Sequence, residues 1–189
     1  MKTFMLFLLM APIHVMAQKL KPVSYYLSSS KVSKEAKKFY KNLAVYKKNE
    51  RKYYDDPATE SLTGSILDSL QTGNKDTRPF YFYLADQNSE LMDGSLQLTQ
   101  AIHQYELLLK SPAYFFQYML DNPAEQKTYM KGWYRNILIY LVQTGDCAGK
   151  FNGQEDLCIK DYKEKVMELL ETSGQKVKDL ALVFFENSK

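Results

Sequence analysis

Apolar residues recur at intervals of three and four along almost the whole chain, and this spacing constrains the fold more than any other feature. One clear stripe runs through Val32, Ala36, Phe39 and Leu43, which is typical of one face of a helix. Only the stretch PFYFYL, residues 79–84, has the aromatic content of a strand, and no comparable stretch exists to pair with it. We therefore predict an all-α protein and assign this stretch to a helix.

Prolines and glycines mark where the predicted helices begin and end. Three starts pair a capping residue with a first-turn proline, which is tolerated because that amide has no partner within the helix. They are Asp56-Pro57, Ser111-Pro112 and Asn122-Pro123. Gly145 and Gly174 provide stops. The expected architecture is an irregular bundle of about eight helices, with a solenoid-like curve as the alternative arrangement.

The N-terminal segment has the organisation of a secretory signal peptide. Lys2 provides the positive start, residues 4–16 form the apolar region, and small residues at Val15 and Ala17 provide the cleavage site. We expect residues 1–17 to be removed; a membrane anchor or a buried first helix is the alternative. The mature protein would then be exported, to a periplasm or to the extracellular space.

The remaining residues 18–189 are long enough to bury a real core, and no long Gly/Pro/Ser linker interrupts them. We predict a single helical domain. No later stretch approaches the roughly 18 consecutive apolar residues of a membrane-spanning helix. We therefore expect no transmembrane segment in the mature chain.

The only two cysteines, Cys147 and Cys158, fit a disulfide better than a metal or redox site. Structural zinc needs about four ligands, and His103 is the only histidine after residue 17. The spacing is not the C-x-x-C of a thioredoxin-like pair, and neither glycine register fits a calcium loop. In an oxidising compartment we expect a disulfide across a helix–helix connection. Free thiols and intermolecular pairing are the alternatives, and we predict no metal and no cofactor.

Charge is unevenly distributed along the chain. Residues 18–56 contain eleven basic and four acidic residues, a net charge of +7, whereas residues 57–189 carry a net charge of −5. This predicts a basic N-terminal helical arm at about 31–55 on a mildly acidic body. For an exported protein, nucleic acid is a poor partner. An acidic protein, a glycan or another acidic polymer fits better.

Candidate binding residues come from this arm. Fifteen tyrosines are many for this length, and tyrosine suits interfaces because it combines apolar area with a polar tip. We assign Lys37, Lys41, Lys48, Tyr53 and Tyr54 as binding residues. The alternative is that the lysines form an ordinary solvated helix face.

No residue pattern indicates catalysis. His103 has no sequence-adjacent base, orienting group or nucleophile. Three carboxylate pairs lie at expected helix starts or turns, where capping and the helix dipole favour acids. They are Asp55–Asp56, Glu90–Asp93 and Glu155–Asp156. We assign no catalytic residue, although the lack of motifs leaves the enzyme question open.

The function that fits these features is an exported binding protein acting through a protein–protein surface. An inhibitor or an immunity-type protein would have this general build. An envelope carbohydrate-binding or structural protein that presents tyrosines to glycans is the second hypothesis. A hydrolase with an unrecognised carboxylate site is the third.

Overall fold

A computed structural model describes residues 20–56, 58–72, 74–91, 94–152 and 154–186. Within these ranges the chain forms eleven helices and no strand, which confirms the all-α prediction. In chain order they are α1 (Val23–Ser28), α2 (Lys34–Lys48), α3 (Glu50–Tyr54), α4 (Ala58–Thr72), α5 (Arg78–Ser89), α6 (Gly94–Lys110), α7 (Pro112–Asp121), α8 (Pro123–Gln143), α9 (Gly145–Phe151), α10 (Glu155–Leu169) and α11 (Gln175–Glu186). The predicted signal peptide, residues 1–17, lies outside the described residues.

Three short helices account for the difference between the expected eight and the eleven described. Short α1 precedes the basic arm, and short α9 contains Cys147 and the first part of the segment between the cysteines. The basic arm is two helices because the backbone leaves helical geometry at Asn49, with φ −150° and ψ 90°. Gly145, predicted as a helix stop, follows the end of α8 and also begins α9. The whole PFYFYL stretch lies in helix α5, as predicted.

Two of the three predicted proline starts are confirmed, but the side-chain caps predicted at these two are not; Pro57, at the third start, lies outside the described residues. α7 begins at Pro112 and α8 at Pro123, and the side chain of neither preceding residue caps the helix. Asn122 instead donates its side-chain amide to the carbonyl of Tyr118, at 2.8 Å. A side-chain cap does occur at Ser33, whose hydroxyl accepts from the Ala36 amide at 3.1 Å and begins the basic arm.

The helices pack as a bundle around α6, which contacts both α4 and α8. α4 also packs against α5 and α2, and α11 packs against α7 and α8. The buried hydrophobic side chains of the described residues form one cluster that extends from Tyr26 to Phe185. Among the described residues, no helix combines the length and the apolar character needed to cross a membrane.

Aromatic rings form the centre of this core. Phe82 of α5 stacks on Tyr118 of α7, with ring centroids 4.3 Å apart. Phe115 contacts Trp133 of α8 at 4.4 Å and Phe184 of α11 at 5.8 Å. All five rings are buried, so four helices are joined through a single aromatic cluster. Phe115 and Trp133 therefore belong to the core.

The disulfide between Cys147 and Cys158 is present, and it joins α9 to α10 with Cα atoms 5.6 Å apart. Both cysteines are buried.

We predict that Cys147→Ala/Cys158→Ala lowers the free energy of unfolding by about 2–3 kcal/mol, because the unfolded chain regains the entropy of an open loop. Urea unfolding of the oxidised protein and the variant measures the difference. Equal stability of the two would contradict this role.

The second stability prediction concerns Tyr114, whose ring lies 4.1 Å from the Arg78 guanidinium. Burial raises the pKa of Tyr114 to about 12, although Arg78 opposes the shift. The unfolded phenol ionises near pH 10, so the unfolded state loses its proton first and the folded state loses stability between pH 10 and 12. We predict that Tyr114→Phe reduces the stability loss between pH 8 and 11 by up to about 1 kcal/mol. Urea unfolding at a series of pH values measures the free energy of unfolding of wild type and variant. If this free energy falls equally with pH in both proteins, the prediction is contradicted.

Candidate functional site

The basic arm presents one lysine-rich side to solvent. Lys34, Lys41 and Lys48 are spaced by seven residues, close to two helical turns, so they lie on one side of α2. The buried residues of α2, including Phe39 and Leu43, occupy the opposite side. Among the described residues, none of these three lysine side chains has an ion pair or hydrogen-bond partner.

The same exposed side continues into α3 through Val45 and Lys52. Val45 lies between Lys41 and Lys48 in the helical register and is 45% exposed. A shallow concavity of 470 Å³ has both Val45 and Lys52 in its lining. We define the basic surface as Lys34, Lys41, Val45, Lys48 and Lys52. Its four ammonium groups have no ion-pair or hydrogen-bond partner within the described ranges, and Val45 adds one exposed apolar side chain.

The other basic residues of the arm have structural contacts. Lys37, predicted as a binding residue, donates its ammonium to the carbonyl of Ser29 at 2.7 Å and so fixes the chain before α2. Lys47 pairs with Glu90 of α5 at 2.5 Å. We therefore separate Lys37 from the binding set, whereas Lys41 and Lys48 remain on the basic surface. A groove of 330 Å³ lies beside Lys34 and Lys41, and Lys37 is also part of its lining.

Tyr53 is assigned as a binding residue from the sequence, and the structure instead places it in the core. Its side chain is completely buried, because it continues the apolar stripe beneath the arm. Its hydroxyl donates to the side-chain oxygen of Asn88 at 2.8 Å. Tyr54 is 40% exposed, and its hydroxyl donates to the Leu91 carbonyl at 2.6 Å. Tyr54 thus keeps part of its ring at the surface with a fixed orientation.

A buried chain of hydrogen bonds anchors the arm to the bundle. The Asn88 side-chain amide donates to the Thr63 hydroxyl at 3.0 Å, which donates to the Thr59 carbonyl at 3.0 Å. Together with Tyr53, this chain joins α3, α5 and α4. Asn88 is not among the residues singled out from the sequence. Its only sequence signal is its position four residues after Leu84, on the face of α5 that is buried.

Asp56 is a second anchor. Its carboxylate accepts from the Tyr46 hydroxyl at 2.9 Å and from the Lys38 ammonium at 3.3 Å. Its backbone carbonyl accepts from the Thr59 amide at 3.0 Å as α4 begins. Burial is the main cause that raises the pKa of Tyr46 above its ordinary value, so its hydroxyl stays protonated as a donor.

The remaining carboxylate pairs also have structural contacts. Asp55 lies 3.7 Å from Arg51 one turn earlier in the chain, and Glu90 pairs with Lys47 as described above. Glu155 and Asp156 occupy the first turn of α10, where the helix dipole favours negative charge. Asp93 lies outside the described residues. These contacts agree with the structural role that the sequence analysis preferred.

His103 lies on α6 and is held by two neighbours. One ring nitrogen, Nδ1, is 2.9 Å from the Thr99 carbonyl, and Nε2 is 3.5 Å from the Asp68 carboxylate. Because Nδ1 faces a carbonyl, it carries a proton and is not the basic nitrogen. No group of three or more potential metal ligands occurs in the part of the chain that the structure describes.

Comparison with known proteins gives no relatives for this chain: no family model, no curated protein and no solved structure matches it. A functional assignment therefore depends on the chemistry of its own residues. The basic surface is the strongest such feature, since it combines exposure, unpaired charge and a firm attachment to the core.

The attachment can be tested by deleting one hydroxyl. We predict that Tyr53→Phe lowers the free energy of unfolding by about 1–3 kcal/mol, because a buried acceptor on Asn88 loses this donor. Chemical denaturation followed by circular dichroism measures the change. Tyr54→Phe is the matched control: it also removes a tyrosine hydroxyl, but at a partly exposed carbonyl, and its effect should be smaller. Equal losses in the two variants would contradict the anchoring role.

Proposed function

We propose that this protein is an exported binding protein whose basic surface docks an acidic face of a protein partner, as an inhibitor or immunity-type protein would. The observation that carries the proposal is the set of exposed lysines at Lys34, Lys41, Lys48 and Lys52, which have no partner among the described residues. α2 and α3 carry eight basic residues and two acidic ones. This excess of charge would attract and orient an acidic partner.

Val45 favours a protein partner over a simple polyanion. It is exposed and lies in register between Lys41 and Lys48. Protein interfaces combine an apolar centre with a charged rim, whereas an acidic polymer gains little from an exposed aliphatic side chain. Tyr54 is a further partly exposed ring beside the arm. A glycan or another acidic polymer is the alternative ligand that the experiment below must separate.

The attachment of the arm supports binding without a large ordering cost. Tyr53 and Tyr46 bury their rings beneath the lysines, with centroids 5.6 Å apart. The Tyr53 hydroxyl is fixed by Asn88, and the Tyr46 hydroxyl by Asp56. A surface that is already ordered loses less conformational entropy on binding than a mobile one.

Charge reversal tests this proposal. The variant Lys34→Glu/Lys41→Glu/Lys48→Glu should lose a partner that the wild-type protein retains from native envelope extract, because like charges would then face the acidic partner. The matched control Lys127→Glu/Lys131→Glu/Lys176→Glu changes the net charge equally at exposed positions outside the basic surface. Circular dichroism checks that both variants keep their helix content.

The two variants and a polyanion column separate the outcomes. Retention of one stoichiometric protein by the wild type and the control, with loss in the basic-surface variant, supports the proposal. Equal capture by all three proteins would contradict it. If the basic surface instead governs retention on immobilised heparin and no protein is captured selectively, the polyanion alternative replaces it.

A further inference from the structure

A small pocket opens where α6, α8, α9 and α10 meet, remote in sequence from the basic arm. Its volume is 180 Å³. Aromatic, aliphatic, disulfide and charged side chains form its walls: Tyr105, Leu141, Cys147, Lys150, Phe151, Cys158, Asp161, Tyr162 and Lys165. Because both cysteines are in the wall, the disulfide fixes α9 against α10 at this point.

The inner wall of the pocket is aromatic and neutral. The rings of Tyr105 and Tyr162 stack with centroids 4.7 Å apart, and Tyr140 lies 4.8 Å from Tyr105. The Tyr162 hydroxyl donates to the Tyr105 carbonyl at 3.1 Å. Burial raises the pKa of Tyr162 well above its ordinary value, so the phenol remains uncharged at physiological pH. A planar apolar group can therefore lie against this wall without meeting a negative charge.

The charged side chains that line the pocket are two lysines and one aspartate. Lys150 contacts one oxygen of Asp161 at 2.5 Å, and Lys165 contacts the other at 2.8 Å. These hydrogen bonds, first with Lys150 and then with Lys165, lower the pKa of Asp161. Two ammonium groups thus share one carboxylate. Each ammonium has three donor hydrogens, so Lys150 can donate to a bound anion while it contacts Asp161.

The size of the pocket limits what it can hold. A cavity of roughly 150 Å³ lined by apolar side chains accommodates benzene. The present pocket is slightly larger, has an aromatic wall and includes the Lys150 ammonium, which keeps donor hydrogens beyond its contact with Asp161. We propose that it is a binding site for a small monocyclic aromatic anion, with the ring against Tyr105 and Tyr162 and the anionic group at Lys150 and Lys165. This site is independent of the basic surface.

Three probes of similar size and different charge test this assignment. Benzoate, benzyl alcohol and benzylamine are titrated into the oxidised, ¹⁵N-labelled mature protein, and amide chemical shifts are recorded. Benzoate should shift amides around Lys150 and Asp161–Tyr162 and bind about five- to tenfold more tightly than benzyl alcohol, because only a carboxylate forms an ion pair with the ammonium groups. The absence of localised shifts, or tighter binding of benzylamine, would overturn the proposal.

Substitutions in and beside the pocket separate binding from fold maintenance. Asp161→Asn preserves side-chain size and removes the competing carboxylate, so benzoate should bind more tightly to this variant. Lys150→Gln should weaken benzoate binding. Lys160→Gln, on the same helix but outside the pocket lining, should leave it unchanged. Weaker benzoate binding to Asp161→Asn, or equal effects of the two lysine substitutions, would show that the ion pairs only hold α9 to α10.

Discussion

The burial of one aromatic stripe beneath α2 and α3 determines the most prominent surface of this protein. The rings of Phe39, Tyr46 and Tyr53 pack together. The ring centroid of Tyr46 lies 6.0 Å from that of Phe39 and 5.6 Å from that of Tyr53. Once these rings face the core, the helical period places Lys34, Lys41 and Lys48 toward solvent. The basic surface is therefore a direct consequence of core packing.

Polar contacts make this arrangement specific. Aromatic burial alone would hold α2 and α3 near the bundle, but the Tyr53–Asn88 and Tyr46–Asp56 hydrogen bonds fix their rotation and register. A buried acceptor without its donor costs free energy, so alternative registers are disfavoured. The arm leaves the helical path at Asn49 while its rings remain buried on both sides of that break.

Much of the fold could be predicted from the sequence because its signals are local. The three-and-four spacing predicts helices, and first-turn prolines place the starts of α7 and α8. Two cysteines in a chain that is expected to be exported predict a disulfide. The break at Asn49 could not be predicted, since the apolar stripe continues across it. Helix α9 could not be predicted either, because Gly149 and Asn152 favour a turn over a helix in that segment.

The candidate site was predictable only in part, for a physical reason. Charge pattern shows which residues are basic, but not which of them find a partner after folding. Lys37 contacts a backbone carbonyl and Lys47 a carboxylate, whereas Lys41 and Lys48 remain exposed without either. Tyr53 and Tyr54 are adjacent residues of the same type, so residue type does not distinguish them. The side chain of Asn88 accepts a hydrogen bond from the Tyr53 hydroxyl, which allows complete burial of Tyr53. The partners come from helices distant in sequence.

Two chemically different sites follow from these contacts. The basic surface suits a broad acidic face, and the pocket beside the disulfide suits one small anionic ring. Both depend on lysines, but in different ways. The lysines of the basic surface have no partner in the part of the chain that the structure describes, whereas Lys150 and Lys165 both contact Asp161. The surface is proposed to act by long-range attraction, the pocket by enclosure against an aromatic wall.

The most direct test of the central claim is lysine acetylation footprinting of the mature protein, alone and in complex with a partner captured from envelope extract. The account predicts that Lys34, Lys41, Lys48 and Lys52 are protected together in the complex, while Lys127 and Lys131 react as in the free protein. Unchanged labelling of the basic surface, or protection confined to lysines elsewhere, would contradict it.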